Sequence, residues 1–318
     1  MTELALPRLG YGAANVGNLF RAITDDESTR ILEAAWDVGI RYFDTAPHYG
    51  LGLSERRLGA FLRTKPREDF IVSTKVGRLL RPNPAGAGTL DTANDFAVAA
   101  YSTRVWDFSA DGIRRSVDES LERTGLDRLD VLYLHDPERN DLRDGLDRAI
   151  PALAGLRAEG LVRAVGVGSM STEALLACVN TGALDLLMVA GRYTLAEQPA
   201  LAEVVPACRA LGVGIVNASV FNSGLLATDS PGTGARYDYG DVPADLLERV
   251  KAIAAACREF GVSLPAAALQ YTLRDDTVRS IVVGGSRPEQ LRENAERIDE
   301  AIPDTLWTAL RERGLIPA

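Results

Sequence analysis

The chain has 318 residues, 46% of them hydrophobic and 25% charged, with a net charge of −9. That length suits two average domains or one α/β barrel, and the composition suits a soluble protein with a large core. The negative balance argues against nucleic acid or an anionic membrane surface as partner, and no apolar run reaches the roughly 18 residues that a membrane helix needs. The N-terminus, Met1-Thr-Glu-Leu-Ala-Leu-Pro7, lacks the basic flank and apolar stretch of a secretory signal. Cys178, Cys208 and Cys257 lie far apart without CxxC spacing, so they read as buried thiols in a reducing, cytoplasmic setting. With His48 and His135 the only histidines, a histidine-rich metal site is excluded and no metal is expected.

Residues 6–12 are short and apolar, a first strand. Thr24-Asp-Asp-Glu27 is a capping box, in which the threonine oxygen accepts from the amide three residues on and the glutamate reaches back. It opens an amphipathic helix with Ile31, Leu32, Ala35 and Val38 on one face, closed at Gly39. Residues 41–44 form a strand ending in Asp44, followed by the turn Ala46-Pro47 and then Tyr49-Gly50. A helix over 54–63 precedes a strand over 69–75 that ends in Lys75. Residues 77–108 carry Pro82, Pro84, Gly86 and Gly88 and read as an irregular excursion covering a site, since loops of that length in a compact domain are usually functional or disordered.

Next come a helix over 110–124, a strand over 129–134 leading to His135, and a helix over 142–158 closed by Gly160. A strand over 162–167 leads to Gly168-Ser169, and is followed by helix 172–179, strand 185–190, helix 199–210 closed by Gly212, and strand 213–217. A second long loop, 225–242, is rich in Gly, Pro and Asp. Helices 244–260 and 264–273, strand 280–283 and helices 288–298 and 303–313 complete the chain.

The strands are near-continuous Val/Ile/Leu runs, which means burial on both faces and a parallel sheet. Strand and helix alternate about eight times with no dividing linker, so residues 1–318 are expected to form a single α/β domain, a (β/α)8 TIM barrel with long loops over its C-terminal face. An open doubly wound sheet is the alternative. The absence of GxGxxG between the first strand and first helix counts against a dinucleotide-binding sheet of that kind.

In such a barrel the C-terminal strand ends share one face, where active sites sit. Asp44 ends the second strand with Tyr49 on its loop, Lys75 ends the third and His135 the fourth. A buried lysine is costly unless paired, and Asp44 can pair with it. An ammonium beside a phenol stabilises the phenolate, so the Tyr49 pKa is expected to fall from about 10 toward the working range, as a general acid/base requires. A neutral His135 can donate to a substrate oxygen. Two plainer readings remain: Asp44 caps the turn while Tyr49 packs, or Lys75 is the Schiff-base lysine of an aldolase, which an acidic neighbour disfavours by keeping the amine charged.

Asp44, Tyr49, Lys75 and His135, at these strand ends and in this order, resemble the catalytic tetrad of the aldo-keto reductases. The resemblance covers nearly the whole chain, including Phe43-Asp-Thr-Ala-Pro-His-Tyr-Gly50, Ser54-Glu-Arg-Arg-Leu-Gly59, Val131-Leu-Tyr-Leu-His135 and Gly284-Gly-Ser-Arg-Pro-Glu-Gln-Leu-Arg-Glu-Asn294. Trp106-Asp-Phe-Ser109, Asp127-Arg-Leu-Asp130, Ala190-Gly-Arg-Tyr-Thr194 and Val220-Phe-Asn-Ser-Gly224 resemble the aldose 1-dehydrogenase branch. That resemblance implies an NAD- or NADP-dependent oxidoreductase that takes the C1 hydroxyl of an aldose such as L-fucose or D-arabinose to the lactone, with Tyr49 moving the proton. The alternatives are an NADPH-dependent aldehyde or ketone reductase, a pyridoxal 4-dehydrogenase, or a cofactor-binding regulatory subunit. The partners it implies are small molecules, with a monomer or small homo-oligomer as the assembly.

The resemblance also implies cofactor contacts. Asp44 and Ser169 would lie near the nicotinamide, with Gly168 and Ala190 where the family places amide-binding side chains, so that Met170 or backbone groups replace them. Tyr193 and Phe221 are candidates to stack on the ring. Residues 219–225 would wrap the pyrophosphate through backbone amides, with Ser219, Ser223 and Leu225 included. Gly285, Arg287, Gln290 and Asn294 would hold the adenosine end, where Pro288 opens a helix whose N-terminus favours anions. Gln290 and Gly284 stand where many NADPH users place an arginine and a lysine, so NAD is favoured and NADP is possible. Phe20, His48 and Trp106 would line the substrate pocket with Tyr49 and His135.

Overall fold

Each barrel strand is buried on both faces, and the chain closes these strands on one another. The computed structural model describes residues 4–317 apart from Thr233, Ala235 and Tyr239. In chain order the strands are β1 (Leu9–Gly12), β2 (Tyr42–Asp44), β3 (Ile71–Val76), β4 (Arg78–Pro82), β5 (Ser102–Trp106) and β6 (Val131–His135). They continue with β7 (Ala164–Ser169), β8 (Leu186–Ala190), β9 (Gly214–Ala218), β10 (Arg236–Tyr237), β11 (Gly240–Asp241) and β12 (Val278–Val283). The barrel is closed in the order β1-β12-β9-β8-β7-β6-β3-β2, with parallel pairing throughout. This is the (β/α)8 barrel that the alternation implied.

The barrel interior is filled by Tyr42, Val131, Tyr133, Ala164, Leu186, Met188, Val216 and Val282. A larger apolar layer lies between the strands and the surrounding helices. All three cysteines are buried and unpaired. Among the described residues no single helix is long and apolar enough to cross a membrane.

The helix Asp25–Asp37 starts from the capping box, with both the Thr24 and the Glu27 hydrogen bonds made. Its buried face is Ile31, Leu32, Ala34 and Ala35, and Gly39 follows at φ 86°. The helix Ala110–Thr124 has the bounds that its apolar spacing implies.

Three expectations about elements are corrected. Residues 77–108 are not one irregular excursion: β4 and β5 pair antiparallel from Arg78–Trp106 to Pro82–Ser102, and isolated bridges join Leu19 to Phe96 and Leu90 to Ala99. The prolines and glycines that suggested a loop lie mostly between the two strands and terminate them. Residues 142–158 are not one α-helix either. Leu142–Asp144 passes through a π turn, Gly145–Ala149, before Ile150–Ala158 resumes the α form. Pro151 lacks the amide hydrogen that the α pattern needs at that turn, and the ladder shifts around it. The second long loop likewise contains the short pair β10 and β11.

The outer wall is held close to the site by the helix Leu53–Leu62. Its Glu55 is fully buried and accepts from Thr74 Oγ1 of β3 at 2.9 Å and from Arg123 Nε at 2.5 Å. Gly59 lies so close to the end of the helix Ala110–Thr124 that a Cβ would meet the Thr124 carbonyl oxygen at 2.1 Å. Gly59→Leu should therefore lower the free energy of unfolding by about 2 kcal/mol. Urea unfolding checks this, and an unchanged midpoint would contradict the packing.

Candidate active site

Asp44 closes β2, a strand of three buried residues, and sits opposite Ser73 of β3 in the parallel register. Ser73 Oγ donates to Asp44 Oδ1 at 2.7 Å, and Lys75 Nζ donates to Oδ2 at 2.5 Å. Lys75 Nζ also donates to the Thr45 carbonyl at 3.1 Å. Because the single Ser73 hydrogen goes to Asp44, the Tyr42 hydroxyl, 3.1 Å away, must donate to Ser73. Tyr133, 3.2 Å from Tyr42, then donates to Tyr42. An ordered chain of hydroxyls thus rises through the barrel interior to the carboxylate.

Burial works against the Lys75 charge, but Asp44 and Tyr49 outweigh it and hold the lysine above its ordinary pKa. Its ammonium lies 4.7 Å from the centroid of the Tyr49 ring. Tyr49 is brought there by a close crossing of loops. Gly50 adopts φ 60°, and a Cβ on it would meet the Gly17 carbonyl oxygen at 2.1 Å. Only a glycine lets the two backbones approach this closely.

The expected fall of the Tyr49 pKa does not occur. Burial raises the phenol above its ordinary value, and the opposing pull of Lys75 is partly cancelled by Asp44. In the free protein Tyr49 therefore holds its proton firmly.

His135 ends β6 and is buried. Its ring centroid lies 6.0 Å from that of Tyr49 and 5.5 Å from that of His48. Burial, then Arg78 and Lys75, push its pKa well below the usual histidine range. Burial, Arg78 and Arg104 push His48 down to about 2. Both imidazoles are neutral at working pH.

The arginines come from the β4–β5 hairpin. Arg78 Nη2 donates to Asp136 Oδ2 at 2.5 Å, and the guanidinium stacks 4.4 Å from the Trp106 ring. Arg104 donates to both Asp91 oxygens and, at 2.7 Å, to the His48 carbonyl. Phe96, on the same excursion, packs 5.5 Å from His48 and 6.2 Å from Tyr49. Sequence reasoning missed Arg78, Arg104 and Phe96. The β-branched and aromatic residues of Thr103-Arg-Val-Trp106 were the available signal for a strand there.

Asp44, Tyr49, Lys75, His48 and His135 are brought together. Trp106 packs on Phe108, 5.7 Å between centroids, behind Arg78. Phe20 is 48% exposed, and its amide donates to the Asp95 carbonyl at 2.7 Å. Its loop is thus tied to the Phe96 excursion at the rim.

The cofactor candidates differ in what they are free to do. Ser169 ends β7, donates to Glu138 Oε1 at 2.6 Å and accepts from the Ser171 amide at 2.9 Å. Met170 gives its carbonyl to Arg192 Nε. Tyr193 is buried, with its hydroxyl 3.4 Å from Asp275 Oδ2 and its ring against Tyr271. Asn217 Nδ2 donates to the Tyr193 carbonyl at 2.6 Å. Phe221, within the 219–225 loop, is partly buried.

That loop holds Ser219, Asn222, Ser223 and Gly224 at positive φ, a concave backbone turn suited to an anion. The amides of Asn222, Gly224 and Leu225 already donate within it, and the Leu225 side chain is core. At the other end, Gly285 accepts from Tyr11, and Arg287 precedes the ten-residue helix Pro288–Arg297. Gln290 Oε1 accepts from the Ser286 amide, and Asn294 is buried. Arg21, which the sequence did not single out, donates to the Ser286 carbonyl at 3.2 Å and adds a second guanidinium near Arg287.

The closed barrel and the polar cluster at its C-terminal strand ends define a (β/α)8-barrel enzyme. The sequence matches the aldo/keto reductase family over residues 8–313. It is 62% identical over 315 residues to a D-threo-aldose 1-dehydrogenase from a Pseudomonas species, covering 99% of this chain and 96% of that one. It is 38% identical over 331 residues to pyridoxal 4-dehydrogenase from Microbacterium luteolum, with 99% and 96% covered. The fold superposes on a glycerol dehydrogenase of Gluconobacter oxydans with a TM-score of 0.76 at 23% identity, over 98% of this chain and 94% of that one. The chain belongs to the aldo/keto reductase family and is an NAD(P)-dependent oxidoreductase.

With both histidine pKa values depressed, the folded protein stays unprotonated at these sites where the unfolded chain takes up protons. Each histidine thus makes stability fall as pH drops below about 6.5, by up to about 1.4 kcal/mol per pH unit. In NMR spectra of the folded protein neither imidazole should show a protonation shift between pH 8 and pH 5. A midpoint near 6.5 for either ring would contradict the burial.

Proposed function

We propose that this protein oxidises the C1 hydroxyl of an aldose such as L-fucose or D-arabinose to the lactone, with Tyr49 as general acid/base. The observation that carries the reading is the buried Asp44–Lys75 pair beside the Tyr49 phenol, with neutral His135 6.0 Å from its ring. The 62% identical relative is named for D-threo-aldose oxidation, which supports a sugar as substrate. When bound, the nicotinamide supplies the hydride chemistry. The protein's part is to orient the hydroxyl through His135 and to take its proton at the Tyr49 oxygen. Tyr49 does so as the phenolate, after first releasing its own proton to solvent; the fixed positive charge on Lys75 stabilises that phenolate before it takes the substrate proton, and Asp44 keeps the lysine in place. His48 and Phe96 form one wall of the space above Tyr49, and Trp106 stands behind Arg78. We further propose that residues 1–318 act as one cytoplasmic catalytic domain, as a monomer or small homo-oligomer.

A helix N-terminus at Pro288 with guanidinium groups at Arg287 and Arg21 supports a dinucleotide, beside the concave turn at 219–225, whose Asn222, Gly224 and Leu225 amides are bonded within the turn. Gln290 is spent on Ser286 and offers no charge, which supports NAD. The extra guanidinium of Arg21 is the one observation that favours NADP as a second reading. The 38% identical relative keeps pyridoxal oxidation open, and an NADPH-dependent carbonyl reductase would use the same four residues.

Incubation with NAD or NADP and a panel of L-fucose, D-arabinose, L-galactose and pyridoxal should give reduced cofactor, read by absorbance, with at least one sugar. Silence with every sugar, combined with NADPH-driven aldehyde reduction, would replace this reading by the reductase one. Tyr49→Phe should lower turnover by about a thousandfold while cofactor affinity is retained. Near-normal turnover would remove Tyr49 from its role. Finally, kcat/KM for NADP should not exceed that for NAD by 100-fold, about 2.7 kcal/mol, in a direct comparison on one sugar.

A further inference from the structure

Glu138 lies on the turn Pro137–Arg139, three residues beyond His135, and its side chain spans the gap between the ends of β6 and β7. The two strands run side by side there, with His135 opposite Gly168 and the Asp136 amide donating to the Gly168 carbonyl at 2.9 Å. Ser169 Oγ gives its only hydrogen to Glu138 Oε1. Among the described residues Glu138 Oε2 is buried and meets no donor in hydrogen-bonding geometry. Burial pushes this carboxyl above its usual range, opposed by the Ser169 hydroxyl and its own backbone amide. A buried carboxylate oxygen without a donor is costly, and such a group calls for a partner.

The two side chains that the sequence placed near the nicotinamide are already engaged. Both Asp44 oxygens accept from Ser73 and Lys75. Ser169 has spent its hydrogen on Glu138 and already accepts from Ser171. The nicotinamide carries its carboxamide on the ring carbon next to the one that exchanges hydride. With the proton site at Tyr49 and His135, that amide would lie within a few ångströms of the reacting carbon, so the strand ends that flank His135 are candidates to meet it. Its NH2 group is a donor in search of an acceptor.

We propose that Glu138 is a cofactor-binding residue whose free oxygen accepts a hydrogen bond from the nicotinamide carboxamide. The assignment rests on the functional reading above. It makes Glu138 the group that sets the rotation of the nicotinamide ring. Ser169, which sequence reasoning placed on that amide directly, becomes the residue that holds Glu138 in position.

The test is calorimetric binding to the whole protein, without turnover. Three ligands are compared: NAD+ or NADP+, whichever the wild type binds, the matching 3-acetylpyridine analogue, which keeps the carbonyl and lacks the N–H, and ADP-ribose, which lacks the ring. The wild type should favour the carboxamide over the acetyl analogue by on the order of tenfold, the yield of a charge-assisted hydrogen bond. Glu138→Ala should bind the two equally, with ADP-ribose affinity unchanged. Glu138→Gln keeps the shape beside Ser169 and an uncharged acceptor, so the preference should narrow to about threefold. This variant decides the matter if the alanine variant does not fold. An undiminished preference in Glu138→Gln and Glu138→Ala overturns the assignment while leaving the functional reading intact. A wild type that binds no nicotinamide nucleotide overturns both.

Discussion

The site depends on one buried ion pair. Lys75 and Asp44 are each almost wholly removed from water, and neither could stay charged there without the other. Such a pair contributes little net stability, because the desolvation of two ions offsets most of their attraction. Removing one partner is another matter, since the survivor is left as an uncompensated buried charge at a cost of about 3–5 kcal/mol. The pair is sustained by its surroundings: Ser73 and the hydroxyl chain behind it hold Asp44, and the Thr45 carbonyl takes a second Lys75 hydrogen. A permanent positive charge is thereby fixed beside Tyr49, where a phenolate would form.

Around that pair the excursion between β3 and β6 sets the electrostatics. Arg78 and Lys75 act on both histidines and Arg104 on His48, inside a protein whose net charge is −9. The positive field and the burial act in the same direction, keeping both imidazoles neutral. A neutral His135 can donate to a substrate oxygen without competing for the proton that Tyr49 must handle. Asp136 and Asp91 neutralise the two guanidinium groups, so the hairpin bears its charges at tolerable cost.

Much of this was legible in the sequence. The apolar strands, their alternation with amphipathic helices, the Thr24 capping box and the strand-end positions of Asp44, Lys75 and His135 follow from local patterns. Other features were not. The β4–β5 hairpin was obscured because its strands are polar, half-exposed and separated by a proline- and glycine-rich stretch. The π turn before Ile150 depends on how one proline is accommodated inside an otherwise helical pattern. Tyr193 follows a strand end, but its side chain meets Tyr271 and Asp275, distant in sequence.

By itself, then, the sequence determined the barrel, because periodicity and burial are properties of each segment. It also determined which four polar residues reach the same end of it, because parallel strands put their C-termini on one face. Only the tertiary structure decided the state of those residues. The Tyr49 phenol is raised where a neighbouring ammonium alone would lower it, since Asp44 takes up part of the Lys75 field and burial penalises the phenolate. The histidines are neutral because they are buried and, second to that, because Arg78 lies near them from 30 and 57 positions away in number, and the Glu138 oxygen is left open by a serine on the next strand. Those are sums over charges and burial that no local stretch contains.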